Sequence, residues 1–335
     1  MKKIVLGEQE IVCQSGETLL EALLLHSVAI PNSCRQGVCH SCLVRSLDIT
    51  PPALAQRGLK DVQQKQNYFL ACTCYPEHDM KIVLSQQAAF FTQGAVVGKT
   101  LLNRETVLLS IQCKDALDFY AGQFVNLQRA DGLTRSYSIA NSRLHAKQLT
   151  FHVRRLPGGR FSEWAHGELQ IGDTLAVSEP QGLCFYLPDR PAQNMLLIGT
   201  GSGLAPLAGI IHEALQQGHT GNIYLYHGSR DVQGLYWIEE MQALQQQHPN
   251  FHYTPCVSNA MAPAGFKQGR ANDVAMQALP KLNGWRVYLC GHPDMVNQTK
   301  IQAFLNGANS TDIYSDAFHV TPDFTANSDS RVVSA

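Results

Sequence analysis

Apolar and polar positions follow three successive rhythms along this chain. Over residues 1–90 short runs alternate, reading as a strand, a second strand, a leucine-rich helix, a cysteine-bearing loop, another strand, a polar stretch and a closing strand at Met80 to Leu84. Leu19, Leu20, Leu23 and Leu24 recur at helical spacing and Thr18 stands where a cap belongs. The segment Leu19 to Ile30 is therefore expected to be an amphipathic helix packed on a sheet. Over residues 94–190 period-two runs such as Thr106 to Cys113, Gln123 to Leu127 and Leu149 to Arg154 are separated by glycine-containing turns, with few helical signals before Phe161. That pattern predicts an antiparallel barrel or sandwich. Over residues 191–320 apolar strands precede helices: Met195 to Ile198, Ala205 to Gln217, Ile223 to His227 and Glu239 to Gln247. This alternation predicts a parallel α/β domain. Residues 321–335 are polar and are expected to form a disordered tail.

Composition agrees with a multidomain globular chain. With 335 residues, 16% of them charged and 44% hydrophobic, there is enough chain for two or three domains with buried cores. A net charge of −1, with no basic stripe or tail, gives nucleic-acid binding no electrostatic support. No apolar run reaches the length of a membrane span, because Glu21 and His26 interrupt the nearest candidate. That candidate carries no Lys or Arg between Thr18 and Ile30, which argues against a membrane-surface helix. No signal-peptide pattern is seen and the ten cysteines fit a reducing compartment, so the expectation is a cytoplasmic protein, taken as a monomer.

Chemistry concentrates first in four cysteines. Cys34, Cys39 and Cys42 reproduce the C-x4-C-x2-C run of plant-type ferredoxins, and a distant fourth thiolate would complete a 2Fe-2S site. Gly37 suits a loop wrapped closely around a cluster, where positive φ or close backbone approach is needed. A zinc site would pair two short C-x2-C knuckles, and only one is present. Disulfides would suit a small secreted chain, unlike this one. The fourth ligand is either Cys72 or Cys74; the apolar run Tyr68-Phe69-Leu70-Ala71 before Cys72 resembles the strand that ends in the last ligand of ferredoxins and favours Cys72. His40 inside the loop lacks the second Cys-His pair of a Rieske centre and reads as a neighbour that tunes the cluster or its docking.

The middle and last segments carry nucleotide signals. Arg135-Ser136-Tyr137-Ser138 offers a guanidinium able to hold a pyrophosphate, a flat aromatic face and a hydroxyl donor. Gly159 and Ser162, at a turn entering a helix, supply backbone donors for an anion. Gly199-Thr200-Gly201-Ser202-Gly203, between an apolar strand and a helix, would let backbone approach a pyrophosphate, although its spacing is not G-x-G-x-x-G. Cys290-Gly291 follows another apolar strand.

These runs resemble the R-x-Y-S, P-G-Q-F-V (here Ala121-Gly122-Gln123-Phe124-Val125) and G-T-G-x-G-x-A-P signatures of the ferredoxin reductase superfamily. The order of the three segments resembles the reductase components of bacterial multicomponent oxygenases, such as those of benzoate, phenol, toluene and methane oxygenases. The resemblance covers about Met1 to Phe318 and implies a β-grasp α+β ferredoxin domain, an antiparallel β-barrel for FAD and an α/β domain for NADH, with NADPH as an alternative. It further implies that Cys290 and Gly291 flank the nicotinamide, that Phe318 covers the flavin, and that Ser138, Cys290 and Phe318 form the catalytic group. A lone late phenylalanine is also an ordinary core residue. The implied activity is hydride transfer from NADH to FAD, followed by single-electron transfer through the cluster to an oxygenase or hydroxylase component. The alternative acceptor is a deoxysugar dehydrase or a membrane-bound hydroxylase or desaturase.

Overall fold

The computed structural model describes residues 1–30, 32, 35, 37, 42–84 and 91–319. Cys34, Cys39, His40 and the tail from 321 onward lie outside the described residues. The chain divides into two compact units, Met1–Phe90 and Phe91–Ala335.

In the first unit β1 (Lys2–Leu6) and β2 (Gln9–Cys13) pair antiparallel and turn Ile4, Leu6, Ile11 and Cys13 inward, as their period-two pattern requires. Helix α1 (Leu19–Leu25) follows, then β3 (Leu43–Ser46), α2 (Asp61–Lys65), β4 (Tyr68–Leu70) and β5 (Met80–Leu84), giving a mixed sheet in the order β2-β1-β5-β3-β4. Thr18 caps α1 through a capping box: its Oγ1 accepts from Glu21 N at 3.3 Å, and Glu21 accepts from Thr18 N at 2.8 Å. The helix is shorter than its leucine pattern suggested, ending at Leu25 rather than Ile30. Ser27 enters the left-handed region at φ 59°, its N–H bonding Leu24 O and that of Val28 bonding Leu23 O at 2.9 Å. This Schellman turn ends the helix and folds Val28 and Ile30 back onto the core.

The second unit opens with a six-stranded antiparallel sheet: β6 (Phe91–Asn103), β7 (Thr106–Cys113), β8 (Phe124–Gln128), β9 (Thr134–Ser138), β10 (Gln148–Arg154) and, after α3 (Arg160–Gly167), β11 (Thr174–Ser178). Its order is β10-β7-β6-β11-β8-β9. A bridge from Ile139 to Phe151, with Ala140 N donating to Thr150 O at 2.8 Å, joins the two outer strands and closes a barrel rather than a sandwich. The 13-residue β6 bends at two irregularities in its pairing with β7, which lets it wrap the barrel.

The second sheet of this unit is wholly parallel, in the order β15-β14-β13-β12-β16-β17. Its strands are β12 (Met195–Thr200), β13 (Ile223–Ser229), β14 (Phe251–Val257), β15 (Lys267–Gln268), β16 (Arg286–Gly291) and β17 (Ile313–Ala317). The helices α4 (Leu204–Gln216), α5 (Ile238–Gln247), α6 (Ala271–Ala278) and α7 (Pro293–Leu305) connect them. β12 and β16 are buried along nearly their whole length, which explains why they read as continuous apolar runs. Strand order reverses beside β12, so the carboxyl ends of β12 and β16 open a crevice at the topological switch point. Polar bonds join the barrel to this α/β lobe, among them Arg143 N and Nε to the buried Glu213 carboxylate at 2.9 and 3.0 Å. Among the described residues, no helix is long and apolar enough to cross a membrane.

Candidate functional site

In the first unit two of the four expected cluster cysteines are described, and they lie together. Cys42 precedes β3 and Cys72 follows β4; Leu43 pairs with Leu70, and Ala71 N donates to Cys42 O at 3.0 Å. Burial pushes the Cys42 thiol up to about 11, and the adjoining Cys72 sulfhydryl, within hydrogen-bonding reach, adds to the shift. Cys74 is fully buried and faces away toward Cys13; burial, followed by Cys13 and Glu77, pushes it up to about 12. Gly37 takes φ +77°, and a β-carbon there would stand 3.1 Å from Thr73 Cγ2, so Gly37 itself lies close over the Cys72 turn. The paired buried thiols of Cys42 and Cys72, with Gly37 close by, fit the soft donor set of an iron–sulfur cluster.

In the second unit a cleft of about 1350 Å³ runs between the barrel and the carboxyl ends of the parallel strands. That exceeds the ~300–1,000 Å³ of a pocket for one small ligand and leaves room for two extended ones. From the barrel, Arg135, Tyr137 and Ser138 of β9 line it, with Gly159 and Ser162 at the start of α3. Tyr137 packs 5.3 Å from the Phe161 ring, and burial raises its hydroxyl well above the ordinary range, so it stays neutral. Gly159 sits at the N-cap of α3 with no side chain capping the helix, and a β-carbon there would lie 2.5 Å from Ser162 Oγ. This uncapped cradle fits a pyrophosphate.

From the α/β lobe, Thr200, Gly201 and Gly291 line the cleft, while Gly199, Gly203 and Cys290 lie behind it. Gly203 lets the turn press onto β16: a β-carbon would meet Cys290 O at 2.2 Å. Gly291, at φ +121°, presses against Thr200 in the same way, at 2.5 Å from its Oγ1. The turn leads into α4, whose start carries no side-chain cap, which again suits a phosphate. Cys290 is fully buried, its sulfur 3.6 Å from that of Cys184. Phe318 is half-buried on the cleft wall, its N–H bonded to Gly291 O at 2.8 Å.

Two residues escaped the sequence reading. Asp316, in β17, accepts from Ser138 Oγ at 3.3 Å and lines the cleft. Burial raises its carboxyl, while the Ser138 bond pulls the other way. Cys184, the partner of Cys290, is the other. Neither lay in a recognisable run, and their partners are 178 and 106 residues away.

Comparison with known proteins matches the three segments separately. Residues 4–77 match the 2Fe-2S iron-sulfur cluster binding domain, 93–186 the oxidoreductase FAD-binding domain and 197–300 the oxidoreductase NAD-binding domain. The chain is 32% identical over 314 residues to the reductase subunit of an aromatic O-demethylase from Amycolatopsis, covering 90% of this chain and 93% of that one. It is 32% identical over 312 residues to the ferredoxin–NAD(P)+ reductase component of naphthalene 1,2-dioxygenase from Pseudomonas putida, covering 91% and 94%. The chain belongs to the reductase components of oxygenase systems. The crystal structure of the Amycolatopsis cytochrome P450 reductase superposes on this reductase with a TM-score of 0.67 at 30% identity, covering 95% of this chain and 99% of that one. A ferredoxin reductase of carbazole 1,9a-dioxygenase, at 24% identity and TM-score 0.64, shares the fold. The reductase is thus an oxidoreductase with a 2Fe-2S cluster and FAD that passes electrons from NAD(P)H to an oxygenase partner.

Proposed function

We propose that this reductase serves the terminal component of an oxygenase acting on an aromatic compound, and that the residues facing the cleft divide the work of accepting electrons from NADH. When bound, FAD takes a hydride from the nicotinamide and the 2Fe-2S cluster carries the electrons onward one at a time. Arg135 neutralises the flavin pyrophosphate together with the uncapped start of α3 at Gly159 and Ser162. Tyr137 presents a neutral face to the ring system. Ser138 and Asp316 form a hydroxyl–carboxyl pair on the cleft wall; with FAD bound, the serine hydroxyl, which now donates to Asp316, would be free to turn toward the flavin's reactive nitrogen. The Gly199 to Gly203 turn admits the nicotinamide nucleotide, with Gly291 and Phe318 around its reacting end and the buried Cys290 behind Gly291 rather than on the cleft wall. Cys34, Cys39, Cys42 and Cys72 ligate the cluster.

The observation that carries this reading is the meeting of Ser138 and Asp316 on the wall of one cleft that also holds the arginine strand and the glycine turn. The aromatic acceptor rests on the names of the O-demethylase and naphthalene relatives. Anaerobic titration with NADH, followed by visible absorbance and electron paramagnetic resonance, tests it. Bleaching of flavin together with the signal of one reduced 2Fe-2S centre is expected. Bleaching without that signal would overturn the four-cysteine assignment, and turnover with no aromatic oxygenase component would overturn the acceptor.

A further inference from the structure

A cluster of three buried rings and the half-buried Trp237 joins the barrel to the α/β lobe beneath the glycine turn. It comprises His152 on β10, His227 on β13, and Tyr236 and Trp237 just before α5. The rings meet edge to face: His152 lies 5.2 Å from Tyr236 and 4.5 Å from Trp237, and His227 lies 5.5 Å from Tyr236. Trp237 sits in the left-handed region at φ 56°, a costly conformation for a bulky residue that the packing around it holds in place.

Hydrogen bonding within the cluster has a direction. His152 Nδ1 is 2.9 Å from Tyr236 Oη, and Tyr236 Oη donates to the carbonyl of Gly201 at 3.4 Å. A hydroxyl has one proton and a carbonyl can only accept. With the tyrosine proton on Gly201, His152 must carry a proton on Nδ1 and donate to Oη. The relay therefore runs from a barrel strand, through Tyr236, into the turn expected to receive the nicotinamide nucleotide. Gly201 O also accepts the N–H of Leu204, the first residue of α4, so two donors fix this carbonyl. His152 lines the cleft although only 3% of it is exposed, and its Nε2 has no hydrogen-bond partner among the described residues. Other bonds between the lobes, among them Arg143 to Glu213, Asn103 Nδ2 to Gly234 O at 3.2 Å, Arg104 to Asp231 and Ser138 to Asp316, reach no residue of the turn.

We propose that His152 is a positioning residue for nicotinamide-nucleotide binding: by donating to Tyr236 it fixes the Gly201 carbonyl, and with it the orientation of the turn, against the flavin barrel. This rests on the nucleotide site proposed above and adds a residue of the other lobe to it. The relay acts on ground-state binding, so it sets affinity and leaves the limiting rate of hydride transfer alone.

The test uses the full-length, flavin-loaded chain and four variants: Tyr236→Phe, His152→Leu, the double variant, and His152→Asn, whose amide nitrogen occupies the place of Nδ1. NAD+ affinity is measured by calorimetry, and the limiting bleaching rate with saturating NADH by stopped flow. Each single change to Phe or Leu is expected to weaken NAD+ about tenfold, with flavin content and limiting rate unchanged and the melting temperature lowered by only a few degrees, the scale of one buried hydrogen bond. The double variant should be no weaker than the singles, because both break one relay, and His152→Asn should recover most of the affinity. Unchanged affinity in Tyr236→Phe, additive losses in the double variant, or a loss in His152→Asn equal to that in His152→Leu would each overturn the proposal. A parent chain that neither binds NAD+ nor bleaches with NADH would instead sink the nucleotide site itself.

Discussion

In the barrel, the groups turned to the cleft are side chains on a strand, Arg135, Tyr137 and Ser138, whereas in the α/β lobe Gly201 and Gly291 offer backbone to it, and Gly199 and Gly203 behind them let the turn pack closely. The difference is one of tolerance. A side chain can be shortened and its loss is graded, while a backbone contact made through a missing β-carbon admits no partial change.

The largest effect should come from the backbone side. Gly203→Ala puts a methyl group 2.2 Å from Cys290 O, inside van der Waals contact, and should cost about 3 kcal/mol, the upper end of overpacking penalties. Loss of NADH-driven bleaching with a lowered melting temperature would show it; near-normal behaviour would erase the contrast between the lobes. Acid should act next, on the seam between them. Burial pushes His152 down to about 3 and His227 down to about 4, against an ordinary 6.5, with His227 also lowering His152. The folded state therefore favours the neutral rings: their contribution is complete above pH 6.5 and is lost as pH falls through the folded values. Between pH 7.5 and 5 the share carried by His152 should cost about 2 kcal/mol at most, read as the part of the fall in melting temperature that His152→Asn abolishes.

The side-chain lobe should respond more gently. Arg135→Leu is expected to weaken FAD about tenfold, the scale of one charge-assisted hydrogen bond, while NAD+ affinity in flavin-saturated protein holds. Equilibrium dialysis against FAD measures the first and calorimetry the second. Smallest is Thr18→Ala in the first unit, which removes a capping box and should cost about 1 kcal/mol, visible as earlier loss of the cluster's visible bands on heating and without effect on nucleotide binding.

What the sequence disclosed and what it hid follow the same division. Arg135 to Ser138 and Gly199 to Gly203 were legible because each is a contiguous run whose chemistry acts through neighbours one to four residues apart. The three-part fold was legible because each segment has its own hydrophobic period. The end of α1 was not, since Leu19 to Ile30 holds its apolar spacing through a reversal that only the left-handed Ser27 reveals. Asp316, Cys184, and the His152 to Tyr236 pair were hidden for a different reason: each acquires meaning from a residue 84 to 178 positions distant. Periodicity carries no record of such meetings.

β17 lies at the far edge of its sheet and delivers Asp316 to a serine made 178 residues earlier. On the ribosome, the barrel strands emerge long before that carboxylate exists. A nascent chain can thus pair its barrel strands while Ser138 Oγ still lacks its carboxylate partner, which arrives only when β17 is made and docks.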